Sequence, residues 1–233
     1  MDAKPKPFCN GCKGPLTPVY DTGKNQYVTK YYTCKTCADT GVTTYWDYPF
    51  DYAKVFEKFG HVFLERHPDY PIAFIDTDIT RLSENLQRAA GWEPGQKASL
   101  LLHGTTGTGK TRTAWLVFNR LWYANFPDKA VWLPMRKLEM AIEKGFDEHK
   151  HGKVLDYFCT VPLLAFDDLG KERLTARMES DLFAIIDERT SNLRPTIITT
   201  NYNGTTLLDR FTNKETGEAL LRRIREYYTA VHA

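Results

Sequence analysis

The octapeptide Gly104-Thr105-Thr106-Gly107-Thr108-Gly109-Lys110-Thr111 satisfies G-x-x-x-x-G-K-[ST] at every position. Each residue type has a chemical use in that order. Glycines let successive backbone N–H groups turn inward around phosphate oxygens. A helix beginning where the loop ends adds the positive end of its dipole. Lys110 is spaced to reach β- and γ-phosphates, and Thr111 offers a hydroxyl to Mg2+. The alternative is a Gly-rich turn without function. The flanking pattern argues against it, because an apolar run at 100–103 precedes the loop and helix-forming sequence follows it.

Downstream, Leu163-Leu164-Ala165-Phe166-Asp167-Asp168 is an apolar strand ending in two acids. A carboxylate there can hold Mg2+ through water, which assigns Asp167 to the metal. The second acid, Asp168, is placed to polarise an attacking water. A helix N-cap is the plain alternative for such a pair, and it weakens downstream of a complete phosphate loop. Thr196-Ile197-Ile198-Thr199-Thr200-Asn201 is a further strand that turns polar at its C-terminal end, the edge where open α/β sheets bind ligands. Asn201 suits a turn; beside the other two motifs it reads as a sensor of the γ-phosphate or of the attacking water.

A separate chemistry occupies the N-terminus. Cys9-x-x-Cys12 is followed, 21 residues later, by Cys34-x-x-Cys37. Two thiolates two residues apart make half of a tetrahedral zinc site, and the spacing between pairs leaves room for a β-hairpin with a strand at 27–33. All four are assigned to one structural zinc. Two redox dithiols are the alternative, but no thioredoxin-like pattern surrounds them. Cys159 stands apart and reads as buried. His149 and His151 lie in a Lys-rich setting that reads as a solvated loop. The rings at 31, 32, 45, 46 and 48 could stack on bases; a small module core or its contact with the next helix is the stronger reading.

These groups need elements to position them. The cysteine-rich first forty residues hold few aliphatics and cannot build a core without a metal. Val55, Phe56, Phe59, Val62 and Phe63 recur at helical spacing over 51–66, and His67-Pro68 ends that helix. From residue 76 helices and strands alternate: a helix over 79–90, strands at 99–103 and 131–134, a helix from the loop to 124, strands at 163–167 and 196–200. Between the last two, Met178, Leu182, Ile185 and Ile186 mark a helix with one buried face. The alternation predicts a parallel sheet with helices on both faces. The expected organisation is a zinc module at 1–50, an amphipathic helix and linker at 51–75, and a nucleotide-binding α/β domain at 76–233.

Net charge is only +2, so any nucleic-acid surface must be a local patch. No run approaches the roughly 18 apolar residues of a membrane span, and the Lys- and Pro-rich start lacks the apolar stretch of a signal peptide. A cytoplasmic, reducing setting is expected, in which cysteines act as ligands rather than disulfides.

Over 74–233 the motifs resemble the DnaC/DnaI-type replicative helicase loaders, AAA+ ATPases related to the IstB-type transposition helpers. The resemblance rests on GTTGTGKTR at 104–112, LAFDDLG at 164–170, PTIITTN at 195–201 and GEALLRRIR at 217–225. It implies that Arg112 belongs with the nucleotide-binding loop and that the Asp-Asp form of the acid pair is normal. It also implies an arginine finger, carried to Arg223 with Arg222 in reserve. From spacing alone those arginines read as a solvated basic face. The resemblance further implies ATP, Mg2+, self-assembly, single-stranded DNA and a ring helicase as partners, with helicase binding assigned to 9–66. A transposition helper has the same motifs. A small-molecule kinase would need an acceptor pocket and an Arg-rich lid. A zinc nucleic-acid-binding protein whose nucleotide site only switches its shape would leave Lys110, Thr111 and Asp167 without a hydrolytic use.

Overall fold

The computed structural model describes residues 16–21, 26–34, 67, 70–74, 77–95, 97–125 and 130–233. The helix expected at 51–66 lies outside them, as do Cys9, Cys12 and Cys37.

Strands β1 (Leu16–Asp21) and β2 (Gln26–Cys34) form an antiparallel hairpin, with Leu16 opposite Cys34 and Asp21 opposite Gln26. The register shifts after Pro18, whose missing N–H suits an irregularity in the ladder. The expected hairpin between the cysteine pairs is therefore present.

The remaining chain runs α1 (Glu84–Ala90), β3 (Ser99–His103), α2 (Lys110–Asn125), β4 (Ala130–Pro134), α3 (Met135–Asp147), α4 (His151–Thr160) and β5 (Leu163–Leu169). It continues with α5 (Ala176–Ser191), β6 (Thr196–Thr200), α6 (Gly204–Leu208), α7 (Lys214–Tyr227) and β7 (Tyr228–His232). The five strands from β3 onward pair in parallel in the order β4-β5-β6-β3-β7. Two-residue periodicity sends their apolar side chains to opposite faces. Leu101, Leu164, Phe166 and Ile198 join Leu138 and Ile142 of α3, Leu182 and Ile185 of α5 and Leu220 and Ile224 of α7. Leu100, Leu102, Leu163, Ala165 and Ile197 join Leu86 of α1 and Trp115, Phe118 and Leu121 of α2. The expected parallel α/β sheet, covered on both faces, is what the chain builds.

Two local expectations change. The helix expected over 79–90 is split. A 3-10 turn, Ile79–Arg81, is capped by Asp78, and α1 restarts with Ser83 as its N-cap. Leu82 between them is extended (φ −82°, ψ 157°). Competing caps five residues apart each terminate or start a turn. The Lys-rich stretch read as a solvated loop is an exposed turn at 148–150 joining two helices, and His151 lies beyond it. His149 sits there at φ 54°, while His151 begins α4, stacks on Phe146 (centroids 3.8 Å apart) and meets Asp181 at 3.1 Å. Cys159 is half-buried, and burial pushes its thiol pKa up.

No helix among the described residues is long and apolar enough to cross a membrane.

Candidate nucleotide site

The Gly-rich loop bridges the C-terminal end of β3 and the N-terminus of α2, as its motif requires. Gly104, Gly107 and Gly109 take φ of 140°, 84° and 100°, a region side-chain-bearing residues rarely enter. A Cβ at Gly109 would also stand 2.7 Å from Leu82 Cδ2. The extended Leu82 that splits the expected helix thus packs on the loop. Thr108 Oγ1 donates to the Thr105 carbonyl at 3.0 Å, and Lys110 Nζ donates to the same carbonyl at 2.7 Å. Lys110 is buried (5% exposed), and that burial lowers its pKa, opposed in part by Asp168 and Asp167. A desolvated ammonium beside a glycine-rich loop at a helix N-terminus is a site for a polyanion.

The acid pair sits on a β-bulge. Phe166 pairs with Ile198 and Leu169 with Thr200, so Asp167 and Asp168 together face the single residue Thr199. Asp168 takes φ 60°, tolerable for Asp and unusual for other side chains. Thr199 ties the bulge down. Its hydroxyl donates to Asp167 Oδ1 at 2.7 Å and accepts the Asp168 N–H at 2.9 Å. Thr111 Oγ1 donates to the same Asp167 oxygen at 3.0 Å. Burial raises the Asp167 pKa, and the Thr199 bond is the largest influence pulling it back down.

The hydroxyl of Thr111 and the carboxylate of Asp167 are therefore adjacent hard oxygen donors, the chemistry that suits Mg2+. Among the described residues no three His, Cys, Asp or Glu side chains converge as a metal cluster. Of the cysteines assigned to zinc, only Cys34 is described, at the end of β2.

Asn201 follows β6 at the same sheet edge and is half-buried. Arg112 turns toward the preceding segment: it donates to the Ala73 carbonyl and to Thr77 Oγ1, both at 3.2 Å, and lies 4.5 Å from the Phe74 ring centre. Arg223, on α7, pairs with Asp187 of α5 at 2.5 Å and with Glu226 at 3.9 Å. Within one chain the structure thus brings together the loop, Thr111, Asp167 and Asp168. Arg223 is engaged elsewhere, and Arg222 is exposed.

Sequence reasoning missed three residues. Thr199 was only part of a polar strand end. Lys171 places Nζ 2.8 Å from Asp168 Oδ2, and Arg210 grips the carbonyls of Gly170 (2.8 Å) and Lys171 (3.3 Å). No local motif marks any of them.

A phosphate loop after β3, an acid pair near the end of β5 and a polar strand between them define a P-loop nucleotide-binding fold. No protein-family model matches the chain. The chain is 28% identical over 129 residues to the replicative helicase loader DnaI of Bacillus subtilis (strain 168), covering 54% of this chain and 40% of that protein. It therefore aligns with less than half of that relative's length. The crystal structure of a DnaC helicase loader superposes with a TM-score of 0.57 at 23% identity, over 70% of this chain and 99% of that one. A DnaI crystal structure gives 0.53 at 25% identity, over 71% and 89%. The chain is thus similar to helicase loaders of the DnaC/DnaI type, in sequence as well as in fold.

Proposed function

We propose that the chain hydrolyses ATP to control the loading of a replicative ring helicase onto single-stranded DNA. The observation that carries the chemistry is the shared hydroxyl of Thr199, which fixes both acids opposite the phosphate loop. The client is proposed from the similarity to DnaI.

In this reading the N–H groups of 104–111 and Lys110 hold the triphosphate. Thr111 and Asp167 hold Mg2+, which when bound neutralises charge on the β- and γ-phosphates. Asp168 orients water and takes its proton, and Asn201 contacts the γ-phosphate. Arg223 completes the site of a neighbouring copy, which ties turnover to self-assembly. Cys9, Cys12, Cys34 and Cys37 would together hold one structural zinc, and residues 9–66 dock the helicase.

The test is ATP turnover with and without single-stranded DNA, alongside retention of the replicative helicase by the tagged protein. Helicase retention lost on removing 1–66 supports the loader reading. DNA-stimulated turnover without helicase retention moves the client to another DNA machine, such as a transposase. Asp168→Asn should keep nucleotide affinity and lose turnover; an active Asp168→Asn protein removes the acid from its role. One zinc per chain, lost on replacing Cys34, is the expected metal analysis, and a metal-free parental protein refutes that site.

A further inference from the structure

The turn after β5 delivers a cation onto the acid that hydrolysis needs free. Lys171 Nζ lies 2.8 Å from Asp168 Oδ2. Surface ion pairs three residues apart are common and loose, but both backbones here are fixed. The Asp168 N–H is held by Thr199 Oγ1. The Lys171 N–H closes a four-residue turn onto the Asp168 carbonyl at 3.1 Å. Gly170, third in that turn, takes φ 83°, as the third position of a type II turn requires. A Cβ there would stand 2.8 Å from Leu207 and 3.0 Å from the Tyr202 ring. Arg210 holds the Gly170 and Lys171 carbonyls and packs its guanidinium over Tyr202, 5.4 Å from the ring centre. The turn is therefore anchored to α6 and to the segment after β6, and only the lysine side chain is free to leave.

An ammonium seated 2.8 Å from Asp168 Oδ2 competes with water for that oxygen, the position from which the acid would align a nucleophile. We propose that Lys171 is a positioning residue that restrains Asp168 in the free protomer and lowers its basal rate of hydrolysis. This rests on the hydrolytic reading above. Release needs only rotation of an exposed lysine stem toward a competing anion, with no movement of the bulge.

The test compares kcat and KM for ATP in the full chain, Lys171→Ala, Lys171→Arg and the Lys171→Ala/Asp168→Asn pair. Lys171→Ala should raise kcat about two- to fivefold, the scale an exposed pair commands, with KM unchanged. Lys171→Arg should restore the restraint, and the double variant should be inactive. At saturating ATP, raising ionic strength should raise kcat of the parent and leave Lys171→Ala flat, because salt screens an exposed pair. A Lys171→Ala protein at or below the parental kcat overturns the inference while leaving the hydrolytic reading intact. A double variant as active as Lys171→Ala overturns it through Asp168. Absence of hydrolysis in every protein, with nucleotide still bound, removes the hydrolytic reading and the restraint together.

Discussion

Thr199→Val is the sharpest perturbation of the acid pair, because valine keeps the shape of threonine and removes only the hydroxyl. Two hydrogen bonds go with it: the 2.7 Å bond to Asp167 and the 2.9 Å bond from the Asp168 N–H. A bond to a charged acceptor contributes about 1.5–3 kcal/mol, and stranding a buried N–H costs about 1–3 kcal/mol. Water reaches part of this site, so a combined loss of about 2–4 kcal/mol is expected. For a chain of this size that lowers the melting temperature by about 4–16 °C. The pH dependence follows from Asp167. Its pKa is already raised by burial, and the Thr199 bond works against that rise. Thr199→Val should therefore lift it further. Mg2+ needs the ionised acid, so the acid limb of kcat/KM for Mg·ATP should move to higher pH. A raised acid pKa favours the folded state below the unfolded value and loses that favour as pH climbs through the folded pKa. The stability gap between parent and variant should accordingly widen as pH rises through the acid range. Thermal melts across pH and a pH–rate profile measure both, with Thr199→Ser as the control that keeps the hydroxyl. A Thr199→Val protein melting within about 2 °C of the parent, with the acid limb unmoved, would refute the reasoning.

Arg189 of α5 is fully buried and donates to Thr196 Oγ1 and to the carbonyls of Phe158, Val161 and Pro195 at 2.6–3.0 Å, while burial pulls its pKa down to about 10. Arg189→Met should cost about 3 kcal/mol through the stranded carbonyls, read as a melting point lower by about 6–12 °C. Lys110→Met should abolish the nucleotide-induced rise in melting temperature without destabilising the nucleotide-free protein. Burial depresses the Lys110 pKa below its unfolded value. The parent should therefore gain stability relative to Lys110→Met as pH rises from the depressed pKa toward the unfolded one, and parallel pH–stability curves for the two proteins would count against it.

Most strands of the nucleotide-binding domain were legible because their signal is local. β3 and β6 fall where the apolar runs place them, and β4 and α2 within a residue or so, since buried parallel strands are short apolar runs bounded by turn residues. β5 extends two residues past Asp167, because pairing with β6 resumes at Leu169 beyond the bulge. The helices α3 and α4 were not anticipated, although Met135, Leu138, Ile142 and Gly145 are spaced for one buried helical face. Surrounding lysines and two histidines made that stretch look solvated, and on α3 the charged residues form the outward side of the same helix.

What the sequence cannot display is which strand lies beside which. β6 is the last of the site's three strands in sequence, yet it lies between the loop strand β3 and the acid strand β5. That insertion aligns Thr199 with two residues of β5 at once, and the two-against-one register leaves Asp168 at positive φ. A threonine at the same position in an unbulged ladder would face one residue and could not serve both acids. The acids belong to β5, but their placement is set by β6 and by the turn that Arg210 secures. Variants at Thr199, Gly170 and Arg210 should therefore change hydrolysis more than nucleotide binding, because their hydrogen bonds and packing hold the acid pair and the turn after it.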